Sequence, residues 1–411
     1  MKVHYVKVML LVLSIAMLTS VAGINIAVLL LLLASPWFWR DLELDPTQKK
    51  QTVLFFAWIA AMCVWDVVSN LLAGAPLGRS LWALQHDLRT FAFVLLLWPI
   101  FAVEGVARFA LWTLVAAFVM IGAVNWGATW LGYVPPGKYL WQTMHHLHGQ
   151  MSVGCVFLLA QLWLVHPRLS WRVLVPMAVL LGSMVMANER RAGLFLLLAG
   201  LPLWVVLNRE RLSVGRYRWW LLVSGVVLIG FVGASSIVQA RLLLVWQEVG
   251  QYLQRSSVER ANDFSSVGLR LQFYVSVWEI IKAHWVLGVG SLQFVDAFQQ
   301  VNLTMGTNEP QRFVNPHNEY LFMLATKGLL GLVLYLGIFV QACRLAMRKP
   351  SEVQCVGLLM FVYLFMVSIF MNSMMVDMEE GHFAMLVLLI FLAPKSLTLV
   401  HGHACSQEKG N

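Results

Sequence analysis

The sequence RFVNPHNEYLFMLATKGLLG, residues 312–331, joins a group of polar side chains to the start of a long apolar run. His317, Asn318 and Glu319 stand where that run begins, and the run, 318–343, is long enough to cross a bilayer. An imidazole titrates near neutral pH, and an ionisable side chain at the mouth of a membrane helix indicates a functional site. The stretch therefore predicts a transmembrane helix that begins beside a reactive group.

The composition of the whole chain indicates a membrane protein. Of its 411 residues, 60% are hydrophobic and 12% are charged, and a soluble protein of that length could not cover so much apolar surface with so few charges. The apolar runs predict an all-α polytopic membrane protein with about 12 transmembrane helices. The predicted spans are 5–20, 22–39, 52–73, 88–103, 108–130, 148–165, 171–187, 190–207, 218–239, 318–343, 353–376 and 381–398.

The distribution of lysine and arginine predicts the orientation of these spans. With the N-terminus in the cytoplasm, the inside segments carry most of the basic residues, as the positive-inside rule requires. This bias accounts for much of the net charge of +9, so nucleic acid is not needed to explain it. We expect transmembrane helices 1 to 9 within 1–239, a periplasmic helical loop at 240–317, helices 10 to 12 within 318–398, and a cytoplasmic tail at 399–411.

The long external loop is predicted to contain helices that lie at the membrane surface. Residues 241–255 and 268–285 both place apolar residues at helical spacing, and they are rich in the Trp and Tyr that favour membrane interfaces. In the second segment one helical face is apolar. That face comprises Leu271, Tyr274, Val275, Trp278 and Ile281.

Arginines supply the candidate anion-binding groups. Arg190 and Arg191, in the sequence NERRAG, begin the predicted eighth span on its external side, against the positive-inside bias. A guanidinium group binds phosphate oxygens through two parallel hydrogen bonds, and a helix start adds the positive end of its dipole. The alternative is a snorkelling helix flank or a salt bridge to Glu189. Taken alone, Arg270 and Arg312 are more typical of solvated charges.

His317 also has two interpretations. Asn318 and Glu319 suit a helix start, because they cap free amides and complement the helix dipole, so the histidine can simply belong to a helix N-terminus. Alternatively, a neutral imidazole at this position accepts a proton from a hydroxyl nucleophile. Spacing alone does not separate the two.

The sequence predicts no metal site and no cofactor. The histidine cluster HHLH at 145–148 has no acidic or cysteine partner at zinc-ligand spacing, and contacts with lipid or glycan head groups explain it better. There is no Walker-type loop, GxSxG or HExxH sequence, so ATPase, serine hydrolase and zincin activities have no support.

Three pieces of the chain, in order, resemble the O-antigen ligase and O-antigen polymerase superfamily of bacterial envelope glycosyltransferases. The first is RAGL at 191–194, an arginine followed by small and apolar residues at a span start. The second is GLRLQFYVSVWEIIKAHWVLGVGSLQF at 268–294, and the third is HNEYL at 317–321 followed by KGLLG at 327–331. The characteristic part covers roughly residues 170–345, and it is most like the O-antigen ligase.

The resemblance implies a metal-independent, inverting transferase whose donor is a glycan on undecaprenyl diphosphate. It implies that Arg191 and Arg270 bind the diphosphate, with Arg190 beside them, and that His317 activates the acceptor hydroxyl. Arginines can stabilise the charge that develops on the lipid diphosphate without a metal ion. The supporting residues would be Asn318, Glu319 and Arg312. The enzyme would be a multi-pass protein of the bacterial inner membrane with its active site facing the periplasm.

Other functions also fit the sequence. The ligase joins O antigen to lipid A–core, whereas the polymerase joins repeat units on the carrier; the NERRAG form and the compact length favour the ligase. A protein O-oligosaccharyltransferase is the third candidate. It ranks below the other two because such enzymes are usually longer than this chain. The expected partners are thus the undecaprenyl-diphosphate-linked glycan, a lipid A–core acceptor and membrane lipids.

Two further classes compete with the enzyme. A secondary transporter usually has repeated halves and buried charges near the middle of the bilayer. Here the halves are unequal, and we expect the important charges to cluster on the external side. In a lipid-binding scaffold, His317 would be dispensable.

Overall fold

The structure is a computed structural model, and it confirms the all-α class. It describes residues 2–40, 42, 46–134, 145–166, 170–186, 192–213, 236–256, 259–260, 263, 265–306, 316–349, 351–370 and 378–393. The regular elements within these ranges are helices. They are α1 (Lys2–Thr19), α2 (Val21–Trp39), α3 (Pro46–Leu72), α4 (Leu77–Ala102), α5 (Val106–Trp130), α6 (His145–Val165), α7 (Ser170–Met186), α8 (Ala192–Leu207), α9 (Arg209–Leu212), α10 (Ser236–Gln254), α11 (Ser266–His284), α12 (Phe294–Thr304), α13 (Glu319–Ala346), α14 (Glu352–Ser368) and α15 (Met378–Leu392).

The helices have the length and apolarity of a polytopic membrane protein. Within the described ranges, α1, α2, α3, α5 and α13 are long and apolar enough to cross a membrane, and α6, α7, α8, α14 and α15 contain shorter apolar helices. The total of about twelve spans remains a prediction, because most of the expected ninth span, 218–239, lies outside the described residues. Residues 236–239, expected to end that span, are helical and belong to α10 as far as it is described.

The core of the bundle surrounds α15. Residues 381–393 are all buried, and α15 contacts α4, α5, α13 and α14. A helix that is apolar on every side has no polar face to present to solvent, so it is most stable where neighbours enclose it. Aromatic side chains complete the packing; Phe118 of α5, for example, meets Phe383 of α15 edge to face at 5.7 Å between ring centroids.

Polar contacts collect at the two ends of the bundle. At one end Arg211 pairs with Glu352, and the Lys349 ammonium donates hydrogen bonds to the Leu392 and Ala393 carbonyls at 2.9 and 2.6 Å. At the other end the start of α13 meets the end of α14. The first group lies in or near loops predicted as cytoplasmic, and the second lies within predicted spans on their periplasmic side.

The loop helices α10 and α11 lie close to the predicted segments, while α12 is an element that the sequence pattern did not predict. In α11 the residues that face the core are Phe273, Val277 and Ile280. Of the predicted apolar face, Ile281 is buried, but Val275 and Trp278 are 46% and 52% exposed. This face therefore lies largely on the protein surface, where apolar side chains suit contact with a membrane.

Candidate functional site

His317 has an unusual backbone conformation at the start of α13. Its φ is 53°, which makes it a non-glycine residue in the left-handed region. Such a conformation costs of order 1 kcal/mol or more and persists where surrounding structure holds it, often at functional sites. The next residue, Asn318, is the N-cap of α13, and its side-chain oxygen accepts a hydrogen bond from the Leu321 amide at 3.1 Å. The predicted helix start is thus present, with the histidine directly before it.

The imidazole of His317 rests on an aromatic side chain of α11. Its ring is nearly parallel to that of Phe273, with 6.0 Å between centroids and 23° between planes. A row of aromatic rings continues from this contact towards α13. The centroid distances are 5.7 Å for Phe273–Phe298, 5.8 Å for Phe298–Phe294 and 5.0 Å for Phe294–Phe322. The stacking contact with Phe273 orients the imidazole ring of His317.

Arg270 lies on the same helix, one turn before Phe273, and is exposed. Tyr274, the next residue after Phe273, links Arg270 to the start of α13. The Tyr274 hydroxyl donates a hydrogen bond to the Phe370 carbonyl at 3.2 Å and also interacts with the Asn318 side chain. Burial raises the pKa of Tyr274, while the Arg270 charge and the Asn318 hydrogen bond act in the opposite direction. Arg270 and His317 therefore flank one small group of α11 side chains.

Glu319 differs from its neighbours because its side chain is fully buried, at 0% exposure. Its backbone N–H donates to the Ile369 carbonyl at 2.8 Å, which fastens the start of α13 to the end of α14. A carboxylate in the first helical turn complements the positive end of the dipole. The arrangement indicates a role in fixing the helix start, since the carboxyl does not face solvent.

Several predicted site residues lie outside the part of the chain that the structure describes. These are Arg190, Arg191 and Arg312. Helix α8 begins at Ala192, directly after the two adjacent arginines, but their side-chain positions stay predictions. The same is true of the histidine side chains at 145–148, of which only the helical backbone is described.

A buried ion pair involves Lys327, ten residues after His317. It corrects the expectation about where the important charges lie. The Lys327 ammonium of α13 is 3.0 Å from Oδ1 of Asp66 on α3, and the two side chains are 3% and 2% exposed. The sequence predicts that the important charges cluster on the external side, but this pair lies within two predicted spans. Each residue is an ionisable side chain inside an apolar run, a sequence signal that by itself indicates function.

Helix α13 is kinked directly after Lys327. Gly328 has φ 67° and ψ −170°, so the backbone leaves the helical region there. The carbonyls of Ala325 and Thr326 accept hydrogen bonds from the Val289 and Gly290 amides at 2.8 and 2.9 Å. These donors belong to the connection between α11 and α12, residues 285–293, here called the glycine turn.

Glycine is required on both sides of this contact. A Cβ on Gly328 would lie 2.1 Å from the Val286 carbonyl oxygen, and one on Gly288 would lie 2.3 Å from the Thr326 backbone. Both residues also have positive φ, at 67° and 74°. The two glycines therefore allow the turn and the kink to approach at backbone distance.

An apolar cavity opens between α5, α6, α8, α14 and α15. The cavity has about 90 Å³ of space open to the centre of a water-sized sphere. The lining includes Leu114, Met151, Leu158, Met360, Phe365 and Phe391. At the end nearest the site it reaches Ser368 and Ile369, and the Ile369 carbonyl is the acceptor of the Glu319 amide. The cavity thus ends beside the start of α13.

Comparison with known families agrees with the sequence resemblance. Residues 176–336 match a family model described as O-antigen ligase. The matched region runs from α7 into α13 and supports the O-antigen ligase superfamily, as predicted. Since the match covers less than half of the chain, the activity and the substrates remain proposals. A search of curated proteins gives no match to the chain.

Proposed function

Starting from a chain whose central region matches the O-antigen ligase family, we propose that the protein transfers a glycan from undecaprenyl diphosphate to a hydroxyl of lipid A–core. The reaction takes place at the periplasmic face of the bacterial inner membrane and needs no metal ion. The single observation that carries the proposal is the position of His317, which stacks on Phe273 of the helix that also presents Arg270. The proposed base therefore contacts the helix that carries a proposed phosphate-binding group.

In the proposed step, His317 acts as a general base. Its neutral imidazole takes the proton of the acceptor hydroxyl while that oxygen attacks the anomeric carbon of the donor. The bond between that carbon and the diphosphate oxygen breaks, and its electron pair leaves with the lipid diphosphate. Attack on the face opposite the leaving group inverts the anomeric carbon. The products are the glycosylated acceptor, the carrier diphosphate and a protonated imidazole.

Arginines bind the leaving group. Arg270 is exposed near His317, and we propose that Arg191, with Arg190 beside it, approaches the same diphosphate. A guanidinium fork binds two phosphate oxygens at once and stays charged in any surroundings. Donors that face the developing charge stabilise the transition state more than the ground state, which is how they accelerate the reaction.

The apolar cavity supports a lipid-linked donor. A polyprenyl chain is apolar along its whole length, and the cavity wall is formed almost entirely by apolar side chains. Because the cavity ends at Ile369, beside the Glu319 amide, a chain within it could place its diphosphate near the start of α13. A donor that was a soluble nucleotide sugar would have no use for such a cavity.

The O-antigen polymerase is the second candidate and would use the same donor chemistry with a second carrier-linked repeat as acceptor. A secondary transporter gains some support from the buried Asp66–Lys327 pair, since transporters carry charges within the membrane. The two charges, however, neutralise each other within a packed contact, as their exposures of 2% and 3% show. A transported ion or substrate would need access to at least one of them.

The proposal is tested by offering both acceptors to the purified protein in lipid nanodiscs. Carrier-diphosphate-linked glycan is supplied with lipid A–core in one reaction and with a second carrier-linked repeat in another, both in the presence of EDTA. We expect the mass of lipid A–core to rise by one glycan chain. Extension of the carrier-linked repeat alone would identify a polymerase, and transfer to neither acceptor would contradict the proposed chemistry.

A further inference from the structure

Asp66 and Lys327 lie deep within the helical bundle. Asp66 precedes the end of α3 by six residues and Lys327 follows the start of α13 by eight, which corresponds to about 9 and 12 Å at about 1.5 Å per residue. Removing two charges from water costs several kcal/mol for each ion, and their attraction offsets this only where the geometry is good. A packed apolar pair would stabilise the bundle at least as well. The pair therefore calls for a role other than stability.

The kink makes the outer part of α13 a separate short helix, residues 319–327. At the break, the Lys327 carbonyl accepts a hydrogen bond from Nε1 of Trp65 at 2.7 Å, and the Leu329 amide donates to the Trp285 carbonyl at 2.9 Å. The outer segment is thus oriented by groups from other helices. His317 and Asn318 stand at its free end, so its orientation sets where the imidazole lies.

Helix α3 holds this segment and the glycine turn at the same time. The Asp66 carboxylate pairs with Lys327, and one helical turn later Asn70 contacts the glycine turn. The Asn70 amide nitrogen donates to Ser291 Oγ at 3.0 Å, and its oxygen accepts from the Leu292 amide at 3.1 Å. Asn70 is fully buried, at 0% exposure. A single rigid helix therefore fixes the two elements relative to each other.

These two elements define the position of the imidazole from opposite sides. The outer segment of α13 carries the backbone of His317, and the glycine turn ends α11, which carries Phe273 and Arg270. We infer that Asp66 and Lys327 are positioning residues, which hold His317 in register with Phe273 and Arg270 for glycan transfer. The catalytic part of this inference rests on the proposed function; the structural part, that the pair holds the glycine turn against α13, does not.

An ion pair suits this role better than apolar side chains. Apolar surfaces attract without direction, so a packed contact can slide by a fraction of a turn, whereas two opposite charges in a poorly polarisable interior lose attraction as soon as they separate. A displacement of about 1 Å in a reacting group can reduce the rate about 100-fold. For catalysis, the exact position of His317 relative to Phe273 and Arg270 therefore matters more than the extra folding stability that an apolar pair would add.

The test compares Asp66→Asn and Lys327→Met with Glu352→Gln, a matched removal of one charge from the Arg211–Glu352 pair at the opposite end. Two quantities are measured in nanodiscs: the steady-state kcat and KM for transfer, and the hydrogen exchange of the peptide that contains Val289 and Gly290. We expect kcat to fall about 10- to 100-fold with KM within about threefold, and these amides to exchange faster. Glu352→Gln should change neither quantity.

A double variant, Asp66→Leu with Lys327→Met, separates positioning from stability. It leaves no uncompensated buried charge, so it should fold even where a single variant does not. Positioning predicts that this folded protein still exchanges rapidly at Val289 and Gly290 and still has a reduced kcat. Wild-type kcat, or wild-type exchange at these amides, would overturn the inference. If the wild-type protein transfers no glycan, the proposed function fails, and the exchange measurement alone still decides whether the pair holds the glycine turn.

Discussion

Two ion pairs, one at an end of the bundle and one deep within it on the side of His317, differ sharply in their surroundings. Arg211 and Glu352 are 44% and 39% exposed, whereas Lys327 and Asp66 are 3% and 2% exposed. An exposed pair is screened by water and contributes about 0–1 kcal/mol, while breaking a buried pair leaves a charge without compensation. The comparison teaches that the His317 end depends on one particular arrangement, whereas the Arg211 end tolerates substitution.

The two ends of helix α13 also differ in backbone conformation. At the far end of α13 the chain leaves the helix by ordinary right-handed residues, with the Met347 amide bonded to the Cys343 carbonyl. Near the site, positive φ values occur at His317 and Gly328, and again in the glycine turn. Such conformations concentrate where function requires a geometry that local preferences would not select.

The largest effect on stability should come from removing one charge of the buried pair. Lys327→Met leaves the Asp66 carboxylate in an apolar environment and should lower the free energy of unfolding by about 3–5 kcal/mol. Arg211→Met, its counterpart at the exposed pair, should lower it by less than about 1 kcal/mol. Thermal unfolding of both variants in the same detergent measures the difference. Equal shifts would show that the two ends do not differ as described.

The next effect concerns the arginines rather than the fold. Arg270→Lys keeps the positive charge but loses the planar fork, so the initial transfer rate should fall about 10- to 100-fold. Arg211→Lys should keep the wild-type rate, because its guanidinium lies at the opposite end of the bundle. Rates are compared at a fixed concentration of the diphosphate donor. A wild-type rate for Arg270→Lys would remove this residue from diphosphate binding.

The kink offers a third, smaller contrast. Gly328→Ala places a Cβ within 2.1 Å of a carbonyl oxygen at positive φ and should lower the free energy of unfolding by about 1–3 kcal/mol. Gly127→Ala lies within helix α5 with no atom within 4 Å of the added Cβ, and it should raise stability by up to about 1 kcal/mol. Thermal unfolding should show a lower stability for Gly328→Ala and a higher one for Gly127→Ala. A stabilised Gly328→Ala protein would contradict the described conformation of Gly328.

The smallest effect is a pH dependence in the loop before α11. Burial raises the pKa of the Asp263 carboxyl, but hydrogen bonds from Ser265 and the ion pair with Arg255 at 2.6 Å lower it by more, so the net pKa is depressed. The stability from this contact is therefore present above the ordinary pKa of 3.8 and is lost as the pH falls through the depressed value. Limited proteolysis of this loop should increase below about pH 4. Asp263→Asn should show the increase already at neutral pH, and an unchanged profile would exclude this contact.

Much of the fold could be predicted because it depends on local spacing. The apolar runs locate α13, and helical periodicity locates α10 and α11 to within a few residues. Helix α12 is short, with its core residues Phe294 and Phe298 one turn apart, and so small a pattern does not stand out in an apolar chain. The face of α11 could not be assigned either, because both of its sides carry apolar residues and only the neighbouring helices decide which side is buried.

The site could be predicted in part. His317 and Asn318 were found because a polar group before an apolar run is visible in sequence. The contact with Phe273 and the left-handed backbone of His317 arise from packing between α11 and α13, which no local pattern encodes. Asp66 and Lys327 are far apart in the chain, so their partnership follows only from the contact between α3 and α13.

The central claim is that the imidazole of His317 removes the acceptor proton. Single-turnover transfer from a labelled carrier-linked glycan to lipid A–core tests it with His317→Ala and, as a control, His284→Ala, an exposed histidine near the end of α11. Loss of a general base should slow transfer by about 100-fold or more in His317→Ala, with the protein still folded and inserted, and leave the control at the wild-type rate. Wild-type transfer by His317→Ala would contradict the account.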